Sequence, residues 1–263
     1  IHHQQDGPIA TVTLSRPQLS NRVSLEMATE LREVCQAIQA DENIRLVILT
    51  GEGDQFSVGR ESLPEDLSGS PASASLDWLK GIQASSAIAA IQVPVIVAVN
   101  GDAVDHGLEL AIAGDIRVAS SSSKFGLTDL AAGAFPWDGA TQRLPRLVGV
   151  ERSLDIITSG RFVDAAEAQD IGIIDAISDA QTPLEAGLAA AKEVLAGQQQ
   201  ARITGQLPAP EANPQAIAAM REQLETSVPA LFSPFRIVDA VDACTKAASL
   251  EEGLRREREP CGG

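Results

Sequence analysis

Residues 94–114 constrain this chain more than any other stretch. They read Pro-Val-Ile-Val-Ala-Val-Asn-Gly-Asp-Ala-Val-Asp-His-Gly-Leu-Glu-Leu-Ala-Ile-Ala-Gly. Val95 to Val99 is an apolar run rich in β-branched residues, the pattern of a buried strand. Asn100-Gly101 is a turn signal. His106 to Gly114 is rich in Leu and Ala and closes on a glycine, which predicts a short helix. A strand that runs through a turn into a helix aims unsatisfied backbone N–H groups, with the helix dipole behind them, at whatever sits over the turn. Such a place suits a developing negative charge.

The flanking sequence predicts an α/β chain. Pro8 to Ser15 alternates as a strand, and Arg16-Pro17 ends it. Ser24 is a candidate N-cap for a helix to about Ala40, whose apolar face is Leu31, Val34, Cys35 and Ile38. Asn43 to Thr50 is a second strand, apolar enough to be covered on both faces, and Phe56-Ser-Val starts a short third. Gly59 to roughly Ser73 is rich in Ser, Pro, Gly and Asp and predicts a mobile loop. One helix is expected from about Ala74 to Ala90, with Leu76, Leu79, Ile82 and Ile88 facing inward. Asp115 to Ser120 and Lys124-Phe125 read as strands. Strands thus alternate with helices, and no sharp sequence repeat is visible.

Beyond Val150 helices dominate. They are expected at 150–159, 164–171 and 183–196, with a short strand at 173–178. Residues 198–212 read as a linker. Asn213-Pro214 is an N-cap followed by proline at the first helical position, starting a helix to about Thr226, and another covers roughly 234–248. The expected division is an α/β core of residues 1–197 and a helical region of residues 198–263 that serves oligomerisation.

Composition narrows the function. The 263 residues suit one sizeable core, and no apolar run reaches the ~20 residues of a membrane span. No signal peptide is visible, and the chain begins at Ile1. Cys35, Cys244 and Cys261 are widely spaced and read as reduced thiols, so a cytoplasmic location is expected. A formal charge of −16 argues against nucleic acid as a partner. An anionic substrate would need its cations gathered locally, and Arg16, Arg22 and Arg60 are the candidates.

Several segments together resemble the crotonase, or enoyl-CoA hydratase/isomerase, superfamily. Asn100 to Glu109 resembles that family's oxyanion-hole loop, with Asp105 and His106 standing where glycines are usual. Ser123-Lys-Phe-Gly-Leu-Thr-Asp129 resembles its second catalytic segment, and Ala140-Thr-Gln-Arg-Leu-Pro-Arg-Leu-Val-Gly149 the helix that follows. Thr13-Leu-Ser-Arg-Pro17 with Asn21, Leu46 to Gly51, Phe56-Ser-Val-Gly59 and Leu250-Glu-Glu-Gly-Leu-Arg255 extend the resemblance along the chain. It implies a crotonase-like spiral of strand-strand-helix units with a helical C-terminal region, assembling as a homotrimer or hexamer. It also implies an acyl-CoA thioester substrate, with coenzyme A arriving as part of the substrate and no other cofactor or metal.

By the same resemblance, the backbone N–H groups of Arg60 and His106 form the oxyanion hole. Glu109 and Asp129 fall where hydratases carry their two carboxylates; Asp129 is one methylene shorter than the usual Glu. Asp138 departs from the hydratase pattern, since isomerases and hydrolases of the family carry an acid there. Its plainer reading is an N-cap for the helix from Ala140. Arg22, Val58, Gly59, Arg60, Glu61, Ser62, Leu63, His106 and Trp137 are the expected substrate and CoA contacts. The first expectation is water addition to an enoyl-CoA through Glu109 and Asp129. The alternatives are a dienoyl-CoA isomerase or a β-diketone-type hydrolase using Asp138, or a non-catalytic relative of the fold.

Overall fold

A computed structural model describes residues 1–64, 72–132, 135–178, 182–198, 203–228 and 231–258. Residues 65–71 of the expected mobile loop, residues 199–202 of the linker, the Leu76 side chain and Cys261 lie outside them. The chain opens with β1 (His2–Asp6), β2 (Ile9–Leu14), α1 (Leu25–Ala40), β3 (Leu46–Gly51) and β4 (Ser57–Val58). There follow α2 (Ala72–Ile82), α3 (Ser85–Ala89), β5 (Val95–Val99), β6 (Ala103–Val104), α4 (His106–Ala111), β7 (Ile116–Ser120) and β8 (Lys124–Gly126). Then come α5 (Ala140–Val148), α6 (Val150–Ser159), β9 (Val163–Asp164), α7 (Ala165–Ile171), β10 (Ala176–Ser178) and α8 (Pro183–Leu195). The last three helices are α9 (Pro214–Ser227), α10 (Phe232–Lys246) and α11 (Leu250–Arg258).

The larger sheet has strand order β1-β2-β3-β5-β7-β10 and is parallel except for the β1/β2 pair. Both of its faces are covered, as the apolar runs at β3 and β5 predict. Val47, Leu49, Val95 and Val97 enter the main core with Leu31, Cys35 and Ile38 of α1. Leu46, Ile48, Ile96 and Ala98 point the other way, against Ala186, Ala190 and Ala191 of α8. The smaller sheet, β4-β6-β8-β9, is made of strands two or three residues long. Segments that short carry no periodicity in a sequence, and β6 and β9 are absent from the sequence-based expectation.

Local chemistry sets the boundaries. Ser24 accepts from the Met27 N–H at 3.1 Å, and Asn213 accepts from Ala216 at 3.0 Å. Thr182 and Glu185 close a capping box on α8. The single helix expected over 74–90 is in fact two, broken at Gln83-Ala84 for a reason that lies at the site. The C-terminal helices pack on the core of their own chain. Helix α10 lies on α5 and α6, and α11 on α5.

Asn21 ties the entry of the smaller sheet together. It is fully buried with a left-handed φ of 52°. Its Oδ1 accepts from Arg16 N–H at 2.8 Å, and its Nδ2 donates to the Glu52 and Gln55 carbonyls at 2.9 and 2.8 Å. Replacing Asn21 with Ala removes three hydrogen bonds to part-buried backbone groups. The expected loss is about 2–4 kcal/mol, measured as a lower urea midpoint with an unchanged slope.

Candidate active site

Three loops leave one end of the smaller sheet together. Strands β4 and β6 pair in parallel with Ser57 opposite Ala103 and Val58 opposite Val104. One step further on, both chains turn through a positive φ, 82° at Gly59 and 51° at Asp105. Continuing the register sets Arg60 beside His106. Val23 and Arg60 form a bridge in which Val23 N–H donates to the Gly59 carbonyl and Glu61 N–H donates to the Val23 carbonyl. Among the described residues, the N–H groups of Arg60 and His106 donate to no acceptor. The close approach is possible because residue 107 is glycine: a Cβ there would lie 1.9 Å from the Ser57 carbonyl oxygen.

Glu109 is one turn along α4 and almost fully buried. Its Oε1 accepts from the N–H groups of Asp138 and Ala140 at 2.8 and 3.1 Å. Its Oε2 lies 3.4 Å from His106 Nδ1. On the other side of the imidazole, Nε2 is 3.7 Å from Asp138 Oδ2. Burial alone would favour neutral imidazole, but the hydrogen bond to Glu109 and the charges of Asp138 and Glu109 outweigh it and raise the His106 pKa. The imidazole of His106 thus lies between two buried carboxyl groups, both of which favour its protonated form.

Asp138 does not cap the helix that follows it. Gly139 occupies the N-cap of α5 without a side-chain cap. The Asp138 carboxylate turns instead to α3, where Oδ2 accepts from the N–H groups of Ala84 and Ser85 at 2.9 and 2.8 Å. That acceptor breaks the helix expected over 74–90, and it comes from a residue more than fifty positions downstream, beyond the reach of local sequence signals.

Asp129 begins a turn of 3-10 helix, Asp129–Ala132, after β8. Burial, then the neighbouring charge of Asp105, push its pKa up to about 6 against the pull of the Arg60 guanidinium. Arg60 Nη2 is 4.0 Å from Asp129 Oδ2, and its Cζ is 5.8 Å from the centre of the Trp78 ring. The other expected contacts lie around this opening. Val58 and Leu63 are half-buried, Gly59 is buried, and Arg22 and Ser62 are exposed. Glu61 is committed to Arg16 at 2.7 Å, and Arg16 also donates to the Arg22 carbonyl at 3.0 Å. Of the three candidate cations, Arg16 is thus already paired. Trp137 stacks edge-on against Phe135 with centroids 5.8 Å apart, and its carbonyl accepts from Gln83. Among the described residues no three His, Cys, Asp or Glu side chains are grouped to hold a metal ion.

Two groups behind the site escape sequence reasoning. Arg143, fully buried, donates from Nη1 to the Asp138 carbonyl at 2.7 Å. Glu257 of α11 accepts from the Thr141 hydroxyl. Its pKa is pushed up to about 8, first by burial and then by the charge of Glu109. The amphipathic pattern of α11 reveals a buried face but not what lies opposite.

A family profile described as enoyl-CoA hydratase/isomerase matches residues 4–226. The chain belongs to the enoyl-CoA hydratase/isomerase family. YngF of Bacillus subtilis, whose name carries the same family, is 40% identical over 177 residues, 65% of each chain. The peroxisomal bifunctional enzyme of Danio rerio is 30% identical over 256 residues. That match covers 95% of this chain and spans 34% of the longer protein. This chain thus spans less than two thirds of the length of either relative. Among solved structures, an enoyl-CoA hydratase/carnithine racemase from Magnetospirillum magneticum shares 32% identity over 74% of each chain, with a TM-score of 0.68. DspI of Pseudomonas aeruginosa shares 27% identity over 97% of this chain and 92% of its own, with a TM-score of 0.69. These neighbours bear out the crotonase-like α/β fold expected from sequence.

Two stability measurements check the buried charges. His106→Gln removes the imidazole that lies between Glu109 and Asp138 and should lower stability at pH 6. A raised histidine pKa gives stability that is complete below the unfolded value of 6.5 and is lost as pH rises through the folded value. The wild-type advantage in urea melts should therefore shrink towards alkaline pH. Glu257→Gln should do the reverse. A carboxyl raised from 4.5 to about 8 costs stability as pH climbs between those values. The variant should melt higher than wild type at pH 7.5 and no higher at pH 4.

Proposed function

We infer that this protein is an acyl-CoA-processing enzyme that adds water across the α,β double bond of an enoyl-CoA thioester. The observation that supports this reading is that the turns leaving the paired strands β4 and β6 carry the N–H groups of Arg60 and His106, which donate to no acceptor among the described residues. Glu109 lies 3.4 Å from the His106 imidazole and Asp129 4.0 Å from the Arg60 guanidinium. The thioester oxygen would accept both N–H groups as it gains enolate character, and one such donor is typically worth ~3–4 kcal/mol in the transition state. Side-chain changes at Asp105 and His106 leave these main-chain donors in place.

The two acids suit different halves of the reaction. Glu109 accepts from two backbone N–H groups and faces the imidazole of His106, and in this reading it takes the proton of the attacking water. Asp129, lifted to about 6, holds a proton for an appreciable fraction of the time near neutral pH. It suits delivery of that proton to the carbon next to the thioester. Asp138 is fully buried and accepts from two helix N–H groups, which favours this reading over an isomerase or hydrolase with Asp138 as the reacting acid. Coenzyme A would enter as part of the substrate, with Arg22 and Arg60 the cations nearest the opening, and the reaction needs no further cofactor. Assembly as a trimer or a pair of trimers in the cytoplasm completes the proposal, and light scattering at micromolar concentration checks the assembly.

Crotonyl-CoA hydration, followed by loss of absorbance of the conjugated thioester, tests the chemistry. Glu109→Gln and Asp129→Asn should each lower kcat by ~100-fold or more with KM nearly unchanged. Asp138→Asn should be the mildest of the three in turnover. If Asp138→Asn is as damaging as Glu109→Gln and mass spectrometry finds a shifted double bond or a cleaved acyl chain, the hydratase reading is wrong.

A further inference from the structure

We propose that Asp105 is a positioning residue: its carboxylate fastens the segment that carries Asp129 to the turn that carries the His106 N–H. Acid and amide then meet one substrate in a fixed relation. This rests on the acid role of Asp129 inferred above.

Three donors converge on the Asp105 carboxylate, all from the segment that follows β8. The Thr128 N–H donates to Oδ1, the Asp129 N–H donates to the same oxygen at 3.0 Å, and the Thr128 hydroxyl donates to Oδ2 at 2.8 Å. The Asp105 N–H donates to the Gly126 carbonyl at 2.8 Å, so side chain and main chain grip the same segment. The other amide-bearing turn is also close. A Cβ on Gly59 would lie 3.8 Å from Asp105 Oδ2. The carboxylate therefore sits where all three loops of the site meet.

The backbone at Asp105 says why the clamp matters. Its φ of 51° and ψ of −119° form a combination that glycine adopts freely and a residue with a Cβ does not. Strain of this kind persists where the surroundings over-determine it. At this position they do so through the side chain that glycine would lack.

The same carboxylate is also a charge beside Asp129. Burial raises the Asp129 pKa first, Asp105 next and Glu109 in smaller measure, while Arg60 and His106 lower it. Removing the Asp105 charge should therefore let Asp129 ionise at lower pH.

The test uses the full chain as wild type, D105G, D105N, T128V and D129N. It measures crotonyl-CoA turnover against pH, carbon-13 NMR titration of the Asp129 carboxyl, and amide hydrogen exchange at Thr128 and Asp129. D105G is at ease at this φ yet lacks the clamp. It should lower kcat by ~10–100-fold with KM little changed, and exchange at Asp129 should quicken by about tenfold or more. D105N keeps an acceptor in place without the charge. It should lose less turnover than D105G while the Asp129 titration, and the limb of the pH profile it governs, move to lower pH. D105G with wild-type kcat and exchange beside an impaired D129N overturns the clamp and leaves the acid role standing. D129N with wild-type turnover overturns the acid role and the proposal with it. Should D105G fail to fold, T128V removes one contact from the other side, and unchanged exchange at Asp129 in that variant overturns the proposal.

Discussion

The carboxylate of Glu109 joins the parts of the chain on which the site depends. One oxygen takes the N–H groups of Asp138 and Ala140 at the start of α5, and the other faces the imidazole of His106. Asp138, fixed by its own N–H, passes its carboxylate to Ala84 and Ser85 and so decides where α3 begins. Helices α4, α5 and α3 are thus ordered in succession, each helix start met by an acid from the one before. Buried donors of this kind are costly to leave unmatched. Glu109 is therefore a structural residue as well as a candidate for proton transfer, and a substitution there is informative about chemistry only if the replacement still accepts both N–H groups.

The inner strands of the larger sheet, β2, β3, β5 and β7, were legible in the sequence because they are long and apolar enough to be read singly, whereas β1, polar and exposed at His2–Asp6, was not. Two helix starts were legible because Ser24 and Asn213-Pro214 satisfy their N–H groups locally. The smaller sheet was not. Val58 and Val104 belong to strands of two residues, and their pairing is enforced by what surrounds them. The break between α2 and α3 was hidden for a related reason: its cause, Asp138, is remote in sequence. The site residues were found through family resemblance, whereas their partners were not. Nothing in the sequence around Arg143 or Glu257 tells that both lie behind Glu109 and Asp138.

Two departures from the family's glycines, at 105 and 106, are resolved in opposite directions. Asp105 turns its side chain outward to the 128–129 segment. His106 turns its own inward, between two acids. Neither change touches the backbone N–H groups, because the approach of α4 to β4 depends on Gly107 and that glycine is kept. The amide pair and the acids around it are in this sense separable. The first is set by strand register and one glycine, the second by side chains that vary without moving it.

Separability bears on how so acidic a chain could stabilise an enolate-like oxygen. Glu109 acts on both Asp129 and Glu257, and Asp138 acts on Glu257; an added negative charge would be repelled if all four were ionised. They are not equally charged. Glu257, near 8, is protonated at neutral pH, and Asp129, near 6, is partly so. Glu109 and Asp138 favour the protonated form of His106 between them, and Arg60 stands beside Asp129. Glu257 lies on α11, so the C-terminal region, expected from sequence to serve assembly, also forms the back wall of the site. In the proposed reaction, protonation of that wall would leave room for charge to develop at the two amides. A proton passed from Asp129 to the substrate would turn a neutral neighbour into an anion just as the enolate charge is discharged, so total charge at the site would stay constant through the step.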